Sequence, residues 1–531
     1  MHTFTIAFIA FEEFDNLSIG YMSSVLSKNG YKSEIIDFRK TKEEIYERIK
    51  TINPQIVGFS VIFQHNIDDF ADLTGYLRRM NIKCHFTAGG HYASIKYDDL
   101  FNTIPDLDSI VRFDGEYTFL ELVQCIHSGT NWRNIAGIAY KSNCSTILNP
   151  LRPVETDLDK FPIPARSSLK GYALGKKFAT ILAGRGCVNK CSYCSIREYS
   201  RQSSGPYKRI RHPENVVWEM ELLHREMECS VFLFQDDDFP VKTADGSEWI
   251  TRFCKELRYN KLTDNIMWKI NCRPDEIDYE SFSVMKKHGL FLVFLGIEDG
   301  TDTGLKRLNK QMTTAKCLDG INILKKLGIG FDYGFMLFQP TSTFRSISEN
   351  LLFLREICAD GYTPVSFLKM MPYSGTMVEM ELRKEGRLKG RPGFQDYNFP
   401  DGSMDNYYEF ITECFMEWLR AANGVLNIIK WARNYISVFF KYFGISPEIR
   451  VISDNLKNIT SDSNIFILDM LHELAIVFES GKYNKGNEDC LSKYRELIIM
   501  KQEIYKKQIN DIILEIAAHY HYQKYLYPLL Y

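Results

Sequence analysis

Short apolar runs alternate with amphipathic stretches along the first quarter of the chain. The amphipathic stretches carry apolar residues at three- and four-residue intervals, as at Leu17, Tyr21 and Val25, which is typical of a helix with one buried face. Strands that alternate with helices of this length pair in parallel through right-handed crossovers. The pattern predicts an open α/β sheet over residues 1–134, with a ligand crevice at the carboxyl ends of its strands. The strand candidates are TFTIAFIAF, KSEIIDF, QIVGFSVIF, KCHFTAGG and DSIVRFDG.

A second α/β run begins near Phe178. Amphipathic helical stretches separate most of its strand candidates, so six βα units predict a partial (β/α)6 barrel of the TIM type over residues 173–383. In such a barrel the chemistry lies on the loops that follow the strands. A hairpin, IAGIAYKSNCSTILN, and a proline-rich stretch are predicted to connect the two units over residues 135–172. The six candidates are FATILAG, VFLFQDDDF, IMWKINC, LFLVFLGIEDG, IGFDYGFMLF and TPVSFLKMM.

Beyond the barrel the strand pattern stops. Apolar residues recur with helical periodicity to the end of the sequence, which predicts an α-helical region over residues 384–531. Its many tyrosines and phenylalanines are interpreted as core packing, and a cap over the substrate is the functional alternative.

The composition is that of an ordinary soluble globular protein. Of the 531 residues, 45% are hydrophobic and 25% are charged, and the formal net charge is −2. Nothing in this balance indicates a nucleic-acid partner. The most apolar late segment is interrupted by Lys430, Arg433 and Lys441, so no membrane span is expected. The N-terminus lacks the basic start of a secretory signal. We therefore expect a cytoplasmic protein without a membrane partner.

The sequence contains 13 cysteines, an odd number, and most of them are scattered. A secreted disulfide framework is therefore not expected. Ten of the cysteines are interpreted as small buried apolar residues. These ten are Cys84, Cys125, Cys144, Cys229, Cys254, Cys272, Cys317, Cys358, Cys414 and Cys490.

The remaining three cysteines form a tight group directly after the first strand of the second run. GRGCVNKCSYCSI places Cys187, Cys191 and Cys194 in a C-x3-C-x2-C spacing. Soft thiolate ligands select zinc or iron–sulfur clusters. A structural zinc site normally needs a fourth cysteine or histidine at comparable spacing, and His212 completes no familiar zinc-finger pattern. Three ligands suit a [4Fe–4S] cluster with one open iron, and a zinc-stabilised binding module is the alternative.

This cysteine loop, after the first strand of a βα barrel, resembles the signature of the radical S-adenosylmethionine (SAM) superfamily. The resemblance implies that Cys187, Cys191 and Cys194 hold a [4Fe–4S] cluster whose open iron binds SAM. An electron from the cluster then cleaves SAM to a 5′-deoxyadenosyl radical, which abstracts a substrate hydrogen. Tyr193 stands where the family usually carries an aromatic residue beside the adenine.

Three further segments carry candidates for SAM binding. Asp236 and Asp237 end the second barrel strand, where many family members hold the methionine amino group with a Gly-Gly turn. Acidic residues can bind the same cation by charge-assisted hydrogen bonds, and a surface acidic turn is the alternative. Arg273 follows the third strand, and its guanidinium suits a carboxylate. Glu298, in GIEDG, resembles the glutamate of the family's G-I-E-S-G segment; for Arg273 and Glu298 alike, a structural salt bridge is the alternative.

An α/β sheet in front of such a barrel resembles the cobalamin-binding subgroup of the superfamily. The resemblance rests on LSIGYMSSVLSKNGYKSEIIDF, NPQIVGFSVIFQHN, FTAGGHYAS and SIVRFDGEYTFLEL. It implies a Rossmann-like (flavodoxin-like) cobalamin-binding domain, with Ser60, Gly89, Gly90 and Glu116 at the cobalamin site. His91 is not assigned as a cobalt ligand, because the D-x-H-x-x-G pattern that supplies one is absent.

Together the two cofactors imply a cobalamin-dependent radical SAM enzyme that methylates an unactivated carbon or phosphorus centre. A radical cyclase or rearrangement enzyme with the same cofactors is the alternative. The expected partners are a small-molecule or peptide substrate and an electron donor such as flavodoxin or ferredoxin. The sequence identifies neither the substrate nor a residue that acts on it.

Overall fold

The structure is a computed structural model that describes residues 4–12, 15–143, 145–166, 172–173, 176–242, 246–481 and 488–520. Its first unit is one seven-stranded sheet in the order β2-β1-β3-β4-β5-β6-β7. β1 to β5 are parallel, as predicted, and β6 and β7 form the predicted hairpin, which extends the edge of this sheet in antiparallel fashion. The strands are β1 (Thr5–Ala10), β2 (Lys32–Asp37), β3 (Ile56–Ser60), β4 (His85–Gly89), β5 (Ser109–Val111), β6 (Ile138–Ser142) and β7 (Ser145–Leu148).

Helices cover both faces of this sheet, because its central strands are apolar on both sides. Ile19 and Leu122 belong to the core on one face, and Ile49 and Phe70 belong to the core on the other. This doubly wound arrangement has the flavodoxin-like strand order and leaves a crevice at the carboxyl ends of the strands. The helices are α1 (Leu17–Lys28), α2 (Lys42–Ile52), α3 (Ile67–Arg79), α4 (His91–Ile95), α5 (Tyr97–Thr103) and α6 (Glu116–Ser128).

The connection that follows the hairpin packs between the two units. The Ala165 amide donates to the Gly20 carbonyl at 3.0 Å, and a Cβ at Gly20 would lie 2.5 Å from the Ala165 oxygen. The Arg166 side chain is buried, and it pairs with Asp15 of the first unit at 2.5 Å and with Glu219 of the second at 2.9 Å. The described part of the connection, up to residue 166, therefore contacts both the sheet and the barrel.

The second unit is an open barrel with five parallel strands, β9 and β12 to β15, and the short antiparallel strand β8 at its edge. The segment predicted as a sixth strand forms one isolated parallel bridge, between Phe338 and Lys369. It lies beside the end of the last strand, where the Leu368 amide donates to the Phe335 carbonyl at 3.0 Å. The strands are β8 (Tyr172–Ala173), β9 (Lys176–Ile181), β10 (Gly184–Gly186), β11 (Lys208–Ile210), β12 (Val231–Phe234), β13 (Met267–Cys272), β14 (Leu290–Glu298) and β15 (Gly330–Phe335).

Helices pack on the outer face of the barrel, where alternate strand residues such as Val293 and Leu295 are fully buried. They supply the crossovers of the predicted βα units. These helices are α7 (Ser195–Gln202), α8 (Pro213–Met227), α9 (Gly246–Tyr259), α10 (Tyr279–Lys287), α11 (Asp302–Arg307), α12 (Thr314–Leu327), α13 (Phe344–Cys358) and α14 (Met377–Lys384).

The C-terminal region is helical, as predicted, after a two-stranded pair formed by β16 (Leu388–Lys389) and β17 (Asp396–Tyr397). Its helices share one continuous hydrophobic core with the barrel. None of the helices that the structure describes has the length and apolar character needed to cross a bilayer. The helices are α15 (Gly402–Arg420), α16 (Val425–Phe443), α17 (Pro447–Glu479) and α18 (Glu488–Tyr520).

The scattered cysteines behave mostly as small apolar residues. Cys84 and Cys125 are half-buried, Cys144 lies outside the described residues, and the Cys490 side chain is likewise outside them. The other six are buried, as predicted: Cys229, Cys254, Cys272, Cys317, Cys358 and Cys414.

Candidate functional site

The three grouped cysteines lie on the loop between β10 and α7, at the carboxyl end of the barrel. The loop leaves the barrel through the hairpin of β10 and β11, and this close pairing requires glycine. Gly186 has a φ of +82°, and a Cβ there would collide with the Tyr207 carbonyl oxygen. Cys194 is the N-cap residue of α7, and burial raises the pKa of its thiol.

The Cys187 thiol faces two polar partners. It donates to the Asp238 carboxylate at 3.7 Å and accepts from the Asn189 side-chain amide at 3.2 Å. Burial, together with the Asp238 charge, raises the pKa of Cys187 to about 12. Cys191 is buried, and its charge also raises the pKa of Cys194, so these two sulfurs are near neighbours.

Among the residues that the structure describes, no three His, Cys, Asp or Glu side chains converge as a finished metal site. The donor set nevertheless fits an iron–sulfur cluster, because three soft sulfurs come from the single segment 187–194. The polar groups around them also point to a missing ligand. Asp238 Oδ1 and Arg273 Nη1 are buried, and neither has a hydrogen-bond partner within the described part of the chain.

The structure brings three of the predicted SAM-binding residues together around Lys310. The Lys310 ammonium donates to the Tyr193 hydroxyl at 3.3 Å and to the Glu298 carboxylate at 3.5 Å. The Arg273 guanidinium donates to the Lys310 carbonyl at 2.6 Å. Gly296 leaves room for the Lys310 ammonium, because a Cβ at this position would lie 2.8 Å from Lys310 Nζ. The site therefore presents a phenol, a carboxylate and two cations beside the cysteine loop.

Lys310 was missed by the sequence reasoning. It lies in the short turn after α11, outside every motif, and only the fold brings it to Glu298 and Tyr193. The turn also holds the cysteine loop directly, because the Ser192 amide donates to the Leu308 carbonyl at 3.0 Å.

Asp236 and Asp237, although adjacent, lie in different surroundings. Asp236 is buried, and both of its carboxylate oxygens accept from the Ala183 amide, at 3.1 and 3.0 Å. Burial raises the pKa of Asp236 to about 7. Asp237 accepts from the Gly186 amide at 3.0 Å and lines a cavity on the side of the first sheet. Asp236 thus shapes the end of β9, whereas Asp237 faces open space.

That cavity lies at the carboxyl ends of the first sheet's strands, at the predicted crevice. It has an empty volume of about 1340 Å³, including its open mouth. All four predicted cobalamin-site residues line it: Ser60, Gly89, Gly90 and Glu116. The opposite wall comes from the barrel, mainly from β10, α7 and the segment before β11. The cavity is therefore an interdomain site, which is a common location for ligands.

Two arginines of the barrel close this cavity against two acids of the first unit. Arg185 pairs with Glu116 at 2.7 Å, and Arg209 pairs with Asp114 at 2.6 Å. Arg185 also stacks over the Tyr21 ring, 4.9 Å from its centroid. Glu116 is thus engaged by the barrel. The sequence contains a hint of Arg185, which stands between two glycines of the cysteine segment, but its partner is set by the fold.

His91 is a wall residue of the same cavity. Its ring packs edge-on against Tyr199 with the centroids 4.3 Å apart, and burial lowers its pKa despite the nearby charges of Asp237 and Asp114. That no histidine serves as a cobalt ligand stays a prediction.

Gly90 offers a direct test of this crevice. Its φ of +115° is strained for any other residue, and a Cβ would lie 2.6 Å from the Val61 carbonyl oxygen. We expect Gly90→Ala to lower the free energy of unfolding by about 1–3 kcal/mol and to weaken cobalamin binding, as measured by urea unfolding and by titration of the cobalamin absorbance. Gly129→Ala is the control, because Gly129 also has a positive φ but a Cβ there meets nothing within 4 Å. Equal cobalamin affinity in both variants would contradict the expected role of Gly90.

The fold and the two adjoining sites define a cobalamin-binding domain joined to a radical SAM barrel. Family models agree: the B12 binding domain model matches residues 10–123, and the radical SAM superfamily model matches residues 181–354. The chain therefore belongs to the radical SAM superfamily, in the subgroup that carries a B12-binding domain. It is a cobalamin-dependent radical SAM enzyme whose cofactors are a [4Fe–4S] cluster, SAM and cobalamin.

Individual relatives span more than one activity. An uncharacterized methyltransferase of Pyrococcus horikoshii is 26% identical over 368 residues, which cover 68% of this chain and 77% of that protein. An anaerobic magnesium-protoporphyrin IX monomethyl ester cyclase of Rubrivivax gelatinosus is 28% identical over 68% of this chain and 66% of its own length. The solved structure of the cobalamin-dependent SAM radical enzyme OxsB with aqua-cobalamin bound aligns with a TM-score of 0.68 at 18% identity, covering 97% of this chain and 81% of the OxsB chain. This likeness shows that the two proteins share a fold.

Proposed function

We propose that this enzyme transfers a methyl group to an unactivated carbon or phosphorus centre of a small-molecule or peptide substrate. The observation that supports the proposal is the adjacency of the two sites. Gly186 and Asp237 line the cavity of the first unit, while the next residues along the chain, Cys187 and Asp238, contact each other on the barrel side. A substrate in the barrel mouth would therefore have the SAM site and the cobalamin site as close neighbours.

The proposed roles follow from the contacts already described. Cys187, Cys191 and Cys194 would hold the cluster, and Ser60, Gly89, Gly90 and Glu116 would line the cobalamin site. When bound, the cluster with SAM supplies hydrogen abstraction and methylcobalamin supplies the methyl group.

The polar residues of the barrel mouth would hold SAM. Arg273 offers an unsatisfied N–H for a carboxylate, and Tyr193 offers a ring held by Lys310. Glu298 accepts from Lys310, and its charge acts on Tyr193 of the cysteine loop, so this carboxylate would bind a cationic amino group beside the loop. Asp236 would act indirectly by fixing the backbone at Ala183, and Asp237 would sit in the wall between the two sites.

A cyclisation or rearrangement without methyl transfer is the second candidate. The relative named as a cyclase favours it, and the same cofactor sites would serve both reactions.

Labelled SAM separates the two candidates. The reconstituted enzyme would be incubated without oxygen with methyl-labelled SAM, a reductant such as flavodoxin or ferredoxin, and a small-molecule extract. We expect both 5′-deoxyadenosine and S-adenosylhomocysteine, with label incorporated into an extract component. Cyclisation or rearrangement would give 5′-deoxyadenosine without S-adenosylhomocysteine. Absence of both products from iron-loaded enzyme would contradict the whole proposal.

A further inference from the structure

The interior of the barrel is accessible on the amino-terminal side of Glu298 along β14. Phe294 is 38% exposed although β14 lies between β13 and β15, and its neighbours Val293 and Leu295 are fully buried under the outer helices. Side chains of a strand alternate between the two faces, so Phe294 faces the interior. Leu368 is 45% exposed on the neighbouring segment. The interior is therefore accessible.

A lysine lies on this inner face. Lys269 of β13 precedes by two positions Asn271, which pairs in register with Phe294, so all three side chains point into the barrel. The Lys269 ammonium donates to the Asn271 side-chain oxygen, and its nitrogen lies 5.7 Å from the Phe294 ring centroid. Burial lowers the pKa of Lys269 to about 8. Among the residues that the structure describes, no carboxylate lies within 4 Å of this ammonium.

The C-terminal region supplies a second cation. Helix α16 lies across the amino-terminal end of the barrel, where the Tyr442 hydroxyl donates to the Ser230 carbonyl at 2.8 Å. Arg433 of the same helix pairs with Asp332 on the inner face of β15, and their charged groups are 3.9 Å apart. Asp332 pairs in register with Phe294. The Arg433 guanidinium therefore lies at the same height in the barrel as the Lys269 ammonium.

Lys269, Asp332 and Arg433 form the floor of the barrel interior, and the positive and negative charges on this floor do not balance. Lys269 and Arg433 are both cations, and the Asp332 carboxylate faces each of them. Asp360 also acts on Arg433, but it already pairs with Lys325 at 2.7 Å. Asp236 also acts on Lys269, but burial raises the pKa of Asp236 to about 7, so this carboxyl group carries less than a full negative charge near neutral pH. Excess buried charge is costly unless a partner neutralises it. A singly charged anion from outside would provide that partner.

We propose that the floor of the barrel is a binding site for an oxyanion of the substrate, a carboxylate or a phosphoryl group held by Lys269 and Arg433. The inference rests on the proposed function in one respect: the substrate must enter the barrel. Phe294 and Leu368 then provide an apolar wall above the anion, so the preferred substrate has an acidic end and an apolar segment that leads toward Glu298. Because Arg433 belongs to α16, the C-terminal region contributes to substrate selection by binding the oxyanion.

Three small probes built on the same aromatic ring test the charge requirement. Phenylphosphonate, benzoate and benzylamine share one ring, and they carry a phosphoryl group, a carboxylate and an ammonium respectively. Binding to the full-length, cofactor-loaded enzyme is measured without oxygen by calorimetry. We expect saturable binding of at least one anion, and the preferred anion identifies the oxyanion class. Lys269→Gln and Arg433→Gln should each weaken it by about tenfold or more. Lys255→Gln, on the exposed face of α9, should leave it unchanged.

Three outcomes would each overturn this inference. The first is benzylamine binding as tightly as the anions. The second is an absence of anion binding in the wild type, and the third is full retention of anion binding in both glutamine variants. Lys269→Arg keeps the positive charge and should retain anion binding. Thermal unfolding and the cobalamin absorbance are measured for every variant to show that it is folded. Wild-type enzyme that binds the anions but does not cleave SAM would contradict the proposed function and leave this site standing.

Discussion

Replacing Cys191 by alanine is expected to abolish the absorbance of the iron–sulfur cluster and to reduce 5′-deoxyadenosine formation to the uncatalysed background. Cys191 is the middle ligand of the proposed set and the buried one, so two sulfurs alone would have to hold the cluster. The measurements are iron and sulfide content, visible absorbance and product analysis on protein reconstituted without oxygen. Cobalamin binding should persist, because Ser60, Gly89 and Gly90 belong to the first unit.

Cys254→Ala is the matched control for this prediction. Cys254 is a buried cysteine of the same barrel, on α9, and belongs to the hydrophobic core. Its replacement should retain iron and 5′-deoxyadenosine formation. If the Cys191 variant kept a normal cluster, the ligand assignment would be wrong. If it lost cobalamin together with iron, the two units would not be independent sites.

Replacing Arg185 by methionine should destabilise the joint between the two units. Glu116 is 5% exposed, and without Arg185 it would remain as a buried carboxylate that has lost its ion-pair partner. Breaking a buried pair in this way costs about 3 kcal/mol. We expect a lower midpoint in urea unfolding and a weaker affinity for cobalamin, because both residues line the cavity.

The double variant Arg185→Met with Glu116→Gln distinguishes charge from packing. It removes both charges together, so most of the lost stability should return. Arg225→Met is the surface control, because its pair with Glu221 is exposed and such pairs contribute little. A double variant as unstable as Arg185→Met would mean that the arginine acts through its packing on Tyr21.

The sequence by itself determined where the main helices and strands of this protein lie along the chain. The five parallel strands of the first sheet, the five parallel strands of the barrel and the helical C-terminal region follow from apolar periodicity, which is a property of neighbouring residues. The spacing of Cys187, Cys191 and Cys194 is equally local, and so is the placement of Gly90 at a strand end. Such features can be recognised in the sequence because backbone geometry imposes a fixed period on the side chains of each helix and strand.

Only the tertiary structure decided which side chains meet. Lys310 joins Tyr193 across 117 positions of chain, Arg185 is paired with Glu116 from another unit, and Arg433 reaches Asp332 from a helix with no recognisable motif. The predicted sixth strand also depended on packing, because its segment pairs with the barrel edge through too few backbone bonds to extend the sheet. Contacts between distant segments depend on how whole elements pack, and no local period encodes that arrangement.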